Sequence, residues 1–271
     1  MPSASGSPRR RARSYDPATV RAALAAQFAA IREVVAGLRE EQLDRPTRLG
    51  AWTVRDLLAH FVIVADWLPV HAEDPLPPGS TPLDLPGWTR GVRGAAKEVD
   101  AGVRESAAAG SGSLADLDAA VGRLLASADA LDPDRVVRIR FGTMRVADFL
   151  VTRLVETVVH GDDLAEALGI AGTFRHDRQA LAAVTRLLAD ALAERAPGAS
   201  VELRVPPFAV VQCVEGPRHT RGTPPNVVET SPLTWIRLAT GRLGWAEALD
   251  VADLTASGER SDISSLLPVM A

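Results

Sequence analysis

Residues 144–169 read MRVADFLVTRLVETVVHGDDLAEALG and are the longest uninterrupted stretch of helical spacing in the chain. Apolar side chains recur around most of the circumference, which predicts a helix that is largely buried in a core. Gly169 follows the last periodic residue and marks the predicted end of this helix. Polar side chains within this stretch therefore need a partner, and they are the first candidates for a functional site.

Helical spacing continues in both directions from this stretch. It predicts further helices at about 16–40, 53–72, 88–108, 114–130 and 177–195. Thr53, with Asp56 three residues later, nearly matches a capping box and marks one helix start. Residues 74–87 are too rich in proline for a helix and are predicted to be a loop. Residues 135–141 alternate briefly, which is typical of a short strand or an extended loop.

The pattern changes at Pro197. Short stretches rich in β-branched residues predict strands at 201–205, 208–215, 226–230 and 252–256. Helices are expected after Ser231, near 244–250 and from Ser261 onward. The sequence therefore predicts two domains, an all-helical one over residues 15–196 and a small α+β domain over 197–271.

The composition of the 271 residues excludes several classes of protein. Apolar residues make up 46% and charged residues 24%, a globular balance, and no apolar run is long enough to span a membrane. The net charge of −4 argues against a nucleic-acid-binding protein. The only lysine is Lys97 among many arginines, which suggests a high-GC genome such as an actinobacterial one.

Residues 1–14 carry four of those arginines and no acidic residue. This composition predicts a disordered tail that packs on nothing in the body, and no apolar segment of a secretion signal follows it. Cys213 is the only cysteine, is expected to pack within a strand, and excludes an internal disulfide. A reducing cytoplasm is therefore the expected compartment.

Three polar residues lie where the pattern predicts a core. Glu156 and His160 are four residues apart, so they point the same way, one helical turn apart. His60 shares an apolar face with Leu57 and Phe61. Two imidazoles and a carboxylate are the ligand set of open catalytic zinc sites, and one divalent cation would satisfy all three groups. We therefore predict that they converge on one such ion.

The alternative is an ordinary buried helix pair with a separate core histidine, since residues spaced as Glu156 and His160 often pair without a metal. Spacing alone does not show that His60 reaches the other two. The remaining histidines, His71, His176 and His219, are interpreted as surface residues. Asp163, three residues after His160, is expected to orient it through a hydrogen bond.

Two segments carry a resemblance to a known family. AWTVRDLLAH (51–60), together with RLVETVVHGDDLAEALG (153–169), resembles the mycothiol-dependent maleylpyruvate isomerase family within the wider DinB-like group. The resemblance implies an N-terminal four-helix bundle that holds a divalent metal, usually zinc. The family's metal ligands fall on His60, Glu156 and His160.

A third segment extends the resemblance to the C-terminal half of the chain. SPLTWIRLATGRLGWAEALDVADLTASGERSDISSLL (231–267) is similar to the sterol-carrier-like C-terminal domain of the family's larger members. The family's C-terminal catalytic arginine has its nearest match at Arg242.

The resemblance also implies a chemistry, in which a low-molecular-weight thiol, mycothiol, is bound to the metal and attacks a small electrophile as thiolate. Addition to a cis double bond, rotation and elimination would give an isomerase, whereas epoxide opening or displacement would give an S-transferase. Hydrolysis by a metal-activated water is a competing enzyme hypothesis. A non-catalytic metal-containing carrier of an apolar ligand is the alternative outside enzymes. A monomer or homodimer without nucleic acid or membrane partners is expected.

Overall fold

The computed structural model describes residues 13–216 and 225–270. The helices are α1 (Pro17–Ala36), α2 (Glu40–Leu43), α3 (Val54–His71), α4 (Leu85–Gly91), α5 (Ala96–Ala108), α6 (Leu114–Ala130), α7 (Val146–Ala167), α8 (Arg178–Arg195), α9 (Pro232–Ala239) and α10 (Trp245–Asp250). The strands are β1 (Val136–Ile139), β2 (Gly142–Arg145), β3 (Val201–Val205), β4 (Ala209–Cys213), β5 (Val227–Thr230) and β6 (Leu254–Ser257). A helical region is thus followed by a smaller part that contains a sheet, which confirms the predicted fold class.

Four long helices enclose the core of the N-terminal part. α1 packs against α6 and α7, and α3 packs against the same two helices, so the four close into a bundle. Each of the four presents an apolar face to the inside, with Phe28, Phe61, Leu124 and Leu154 fully buried at the centre. The bundle places α3 and α7, which carry the predicted metal ligands, side by side.

Local sequence signals position α3. Thr53 accepts a hydrogen bond from the backbone N–H of Asp56, and the Asp56 carboxylate accepts one from the backbone N–H of Thr53 at 2.8 Å. This reciprocal capping box, nearly matched in the sequence, satisfies two donors that the first helical turn leaves open. It fixes where α3 begins, and therefore which face of the helix His60 occupies two turns later.

A hairpin precedes α7, where the sequence predicted helix from residue 144. Residues Gly142–Arg145 pair antiparallel with Val136–Ile139, so α7 begins only at Val146. Met144 lies in strand β2 and is fully buried there. Its apolar side chain therefore extends the helical pattern of the sequence back into the hairpin. For residues 135–141 the sequence left a short strand or an extended loop open, and the structure has a strand there, β1.

The helix predicted over 88–108 is divided in the structure. α4 ends at Gly91, a 3-10 turn covers Val92–Ala95, and α5 follows. A Cβ on Gly91 would lie 2.9 Å from the Phe141 ring, so the glycine lets the hairpin tip approach at this break. α4 also begins three residues inside the predicted loop, because Asp84 caps it and proline is tolerated in a first turn.

The C-terminal part is built on a four-stranded sheet of order β4-β3-β5-β6. β3 and β5 are parallel, and the other neighbouring pairs are antiparallel. The predicted strands correspond to β3–β6, and Cys213 is fully buried in β4 as expected. α8 packs against β4 and α9 and also against α1 and α7 of the bundle. The division at residue 196 stays a prediction.

Two predictions about the ends of the chain need correction. The helix expected from Ser261 is reduced to a 3-10 turn over Ser264–Leu266 in the described residues, since Pro268 cannot continue a helix. Of the predicted tail, residues 1–12 lie outside the described residues. Arg13 does contact the body, because its guanidinium pairs with Asp190 on α8 at 2.9 Å.

Membrane-spanning segments are not found among the described residues. No helix there combines the length and the hydropathy that crossing a bilayer requires.

We expect Gly112→Ala to lower the free energy of unfolding by about 1–3 kcal/mol, because Gly112 has a φ of +109°. A Cβ there would also lie 2.9 Å from the backbone nitrogen of Ala59, beside His60. Urea unfolding measures the loss. Gly110→Ala is the matched control, since its φ of +85° brings similar strain with nothing within 4 Å. Equal losses in the two variants would contradict the predicted clash with α3.

Candidate metal centre

His60 from α3 and the Glu156–His160 pair from α7 meet at one point. The Nε2 atoms of His60 and His160 both lie 3.3 Å from the same oxygen, Glu156 Oε2. One potential ligand atom from each of the three residues lies within 4.8 Å of the others. The structure therefore brings together the three residues that the sequence predicted, in an arrangement that one cation can bridge. That an ion binds there stays a prediction.

The packing of the rings explains how the two histidines hold their positions. The imidazoles of His60 and His160 meet edge to face, with centroids 4.7 Å apart. Trp52 also packs against His60, with ring centroids 5.3 Å apart, and its Nε1 donates to Asp100 at 2.7 Å. The tryptophan before the capping box is therefore part of the wall that confines His60.

Burial and hydrogen bonding set the charges of the three groups. Burial lowers the pKa of His60, which favours its neutral, metal-binding form. Burial would raise the pKa of Glu156, but hydrogen bonds with both histidines hold it well below its usual value. Burial would also lower the pKa of His160, whereas hydrogen bonds with Asp163 and Glu156 raise it above the ordinary value. The cluster thus offers a carboxylate between two imidazoles.

Asp163 orients His160 by a contact with its Nδ1 atom, the ring nitrogen that does not face Glu156. Its carboxylate is fully buried and lies 2.8 Å from His160 Nδ1, so Nε2 is directed at Glu156. Burial would raise the pKa of Asp163, but the hydrogen bond from His160 and the charge of Arg242 keep it far below the usual range. This is the contact that the sequence predicted, and its role in metal binding stays a prediction. His60 Nδ1 has no comparable partner among the described residues.

Arginines from distant segments neutralise the Asp162–Asp163 pair. Arg48, in the loop before α3, donates to Asp163 at 2.6 Å and to Asp162 at 2.5 Å. Arg237 on α9 donates to both oxygens of Asp162, at 2.8 and 2.6 Å. Asp162, Arg48 and Arg237 were not predicted from the sequence. Two adjacent aspartates in a buried helix were the available signal, because they require cations nearby.

Arg242 contacts the carboxylate of Asp163 and not the cluster of His60, Glu156 and His160. Its Nη2 and Nε donate to Asp163 at 2.9 and 3.1 Å, and its Nη1 donates to the carbonyl oxygen of Thr240 at 2.9 Å. Because Asp163 binds the Nδ1 edge of His160, Arg242 lies behind the histidine, away from Nε2. These contacts are those of a positioning residue, and the catalytic role expected for Arg242 has no support from them.

A cavity opens beside the cluster. It has an empty volume of about 680 Å³, counting its open mouth, and both His60 and Glu156 line it. Its walls are mostly apolar or aromatic, with Trp67, Trp88 and Phe141 among them. Arg140 and Arg153 bring positive charge into the same space. A small molecule in this cavity can therefore reach two of the three residues of the cluster, His60 and Glu156.

The chemistry of the donor set fits a divalent cation. Two imidazole nitrogens and one carboxylate oxygen match the three protein ligands of catalytic zinc sites, which leave a position for water or substrate. The hydrogen bond from a carboxylate to the second nitrogen of His160 is the usual support for a metal-binding histidine.

The other histidines do not join the cluster. His71 is partly exposed and pairs with Asp74 at 2.8 Å, as expected for a surface residue. His176 was expected at the surface but is largely buried: its Nδ1 lies 3.1 Å from Gln27 Nε2, and burial lowers its pKa to about 4. His219 lies outside the described residues.

Comparisons with known proteins agree with this architecture. The family model described as "Mycothiol maleylpyruvate isomerase N-terminal domain" matches residues 24–165. The model described as "Bacterial SCP ortholog" matches residues 177–269, a range that includes α8. No sequence among the curated proteins matches significantly.

Solved structures show the same fold. The crystal structure of the mycothiol-dependent maleylpyruvate isomerase aligns with a TM-score of 0.58 at 15% identity, over 92% of this chain and 95% of that chain. A histidine-to-alanine variant of a mycothiol-dependent maleylpyruvate isomerase gives the same values. At this identity the likeness shows a common fold.

We expect Asp163→Asn to weaken zinc binding by about 10–100-fold, because an amide no longer holds His160 Nδ1 by a charge-assisted hydrogen bond. A competition titration of zinc against a chromogenic chelator measures the affinity. Asp162→Asn is the matched control, since it removes a charge from the same arginine network, which the two aspartates share through Arg48, without touching His160. Equal losses in both variants would assign the effect to the arginine network and contradict the orienting role.

Proposed function

Because the chain belongs to the mycothiol maleylpyruvate isomerase family, a family of enzymes, we propose that it is a metal-dependent enzyme whose cosubstrate is mycothiol. Its reaction is the isomerisation of a small electrophile or the transfer of the thiol to it. The observation that carries the proposal is the convergence of His60, Glu156 and His160 at the wall of an open cavity.

The three residues would hold a divalent cation, with zinc as the expected ion. Such a cation, bound by two neutral imidazoles and one carboxylate, lowers the pKa of a coordinated thiol, so that the thiolate is available as nucleophile. Asp163 keeps His160 directed at the ligand cluster, and the Trp52 ring confines His60.

The chain itself offers no cysteine nucleophile at the cavity. Its single cysteine, Cys213, is fully buried in β4, and burial raises the pKa of its thiol to about 11. The thiol therefore has to come from a separate molecule, as the family's name also implies for its members.

The walls of the cavity suit an attack by sulfur on carbon. Apolar side chains such as Val64, Met144 and Phe149 line the space beside Glu156. Next to apolar walls a thiolate is less well solvated than in water, which favours its reaction with an electrophile. The cavity is open, which favours an enzyme over the alternative of a carrier whose metal is structural and closed to ligands.

We expect thiol-dependent turnover to disappear when a chelator removes the metal and to return with zinc. A panel of cis-enediones, epoxides and alkyl halides, assayed with mycothiol, measures this turnover and identifies the reaction type. Substrate consumed equally fast without the thiol would instead establish hydrolysis by a metal-activated water.

His60→Ala should lose metal binding and thiol-dependent turnover by more than about 100-fold, because it removes one of three ligands. Helical content should persist, since the bundle has many other core contacts. Zinc content and circular dichroism provide both measurements. His71→Ala, also on α3 but partly exposed, is the matched control and should retain metal and activity. Full turnover in the His60→Ala protein would refute the proposal.

A further inference from the structure

The charged side chains that line the cavity are unbalanced. Arg140 and Arg153 are cations, and Glu156 is the only anion in the lining that the structure describes. If Glu156 is a metal ligand, its negative charge is offset by the cation. The cavity then carries an excess of positive charge within mostly apolar walls.

We propose that Arg153, assisted by Arg140, forms an anion-binding subsite that receives a carboxylate group of the substrate. This inference rests on the proposed function, because it concerns the electrophile that reacts in the same cavity. It assigns to these two arginines the recognition of the charged end of that electrophile.

Arg153 is a largely buried cation whose positive charge is only partly compensated by nearby groups. Its side chain is 12% exposed, and its Nη2 lies 3.9 Å from Glu156 Oε1, too far for a hydrogen bond. Its Nε and Nη2 donate only to the neutral hydroxyl of Thr152, at 3.2 and 3.1 Å. Among the described residues, none accepts a hydrogen bond from Nη1. A buried guanidinium has donors left for a ligand in this arrangement.

Neighbouring side chains hold the Arg153 guanidinium in place. Its Cζ lies 4.4 Å from the centroid of the Phe149 ring, a residue that also lines the cavity. The Thr152 hydroxyl that it contacts is itself fixed by donating to the carbonyl oxygen of Phe149 at 2.6 Å. A planar, pre-oriented guanidinium suits two-point binding of a carboxylate, whereas a flexible lysine would not supply this geometry.

Arg140 adds a second positive charge from another element. It lies at the tip of the β1–β2 hairpin, with its Cζ 4.9 Å from the centroid of the Trp67 ring. Arg140 and Arg153 line the same cavity, so their like charges repel each other there. A bound anion would relieve this repulsion. The remaining walls, with Trp67 and Trp88, suit the apolar body of a small substrate.

The test uses maleate, a small cis-unsaturated dicarboxylate, and its dimethyl ester as probes. Both are titrated into the chelator-treated protein, so that no metal contributes to carboxylate binding. The fluorescence of Trp67 and Trp88, which line the cavity, reports binding. We expect maleate to bind and Arg153→Gln to raise its Kd by about 10-fold or more, since the variant removes a buried charge partner. Arg153→Lys should recover part of the affinity. The ester should bind more weakly than maleate, and its Kd should not change in these variants.

Two further variants keep the test decisive. Arg140→Gln, on the hairpin tip, should weaken maleate binding less than Arg153→Gln and provides a second probe if Arg153→Gln fails to fold. Arg123→Gln is the matched control, because this surface arginine pairs with Asp66 away from the cavity and should leave the Kd unchanged.

The results separate this inference from the proposed function. Undetectable maleate binding, an ester bound as tightly as maleate, or a Kd that neither arginine variant changes would overturn the anion subsite. Thiol-dependent turnover of neutral electrophiles would then leave the proposed function standing. Arginine-dependent maleate binding without thiol-dependent turnover of any electrophile would retain the subsite and reject the proposed reaction.

Discussion

The fully buried carboxylate of Asp163 is the constraint on which the rest of the site depends. A charge that is removed from water in this way is tolerated only when cations and hydrogen-bond donors surround it. Arg48 supplies them from the bundle side, Arg242 from the C-terminal part, and His160 from the candidate metal centre. One carboxylate therefore connects the orientation of a metal ligand to the docking of the sheet-containing part on the bundle.

The two edges of His160 face different electrostatic surroundings. On the Nδ1 side, Asp163 and its arginines form a network of ion pairs in which the carboxylate is fully compensated. On the Nε2 side, Glu156 lies between two histidines and the guanidinium of Arg153, beside an open cavity. The first arrangement has the character of a support and the second that of a binding site.

Much of the fold was predictable, because helices and strands follow from local sequence. The capping box at Thr53 and the alternation of β3 predicted those elements closely. The errors arose where tertiary contacts compete with local pattern. Met144 is buried in a hairpin although it continues the periodicity of a helix. Gly91 ends α4 where the Phe141 ring packs, within a stretch predicted as one helix. Arg13 pairs with Asp190 across the fold, which the composition of the tail did not indicate.

For the candidate site, the sequence by itself determined that Glu156 and His160 share one helical face and that both are buried among apolar residues. A buried carboxylate and imidazole need partners, and this need is visible in the pattern alone. Only the tertiary structure decided that His60, 96 residues from Glu156, completes the cluster, and that Arg242, 79 residues from Asp163, supports it from behind. The sequence shows that compensating charge is required, but electrostatic energy depends on distance in space, so folding selects which of the 30 basic residues provide it.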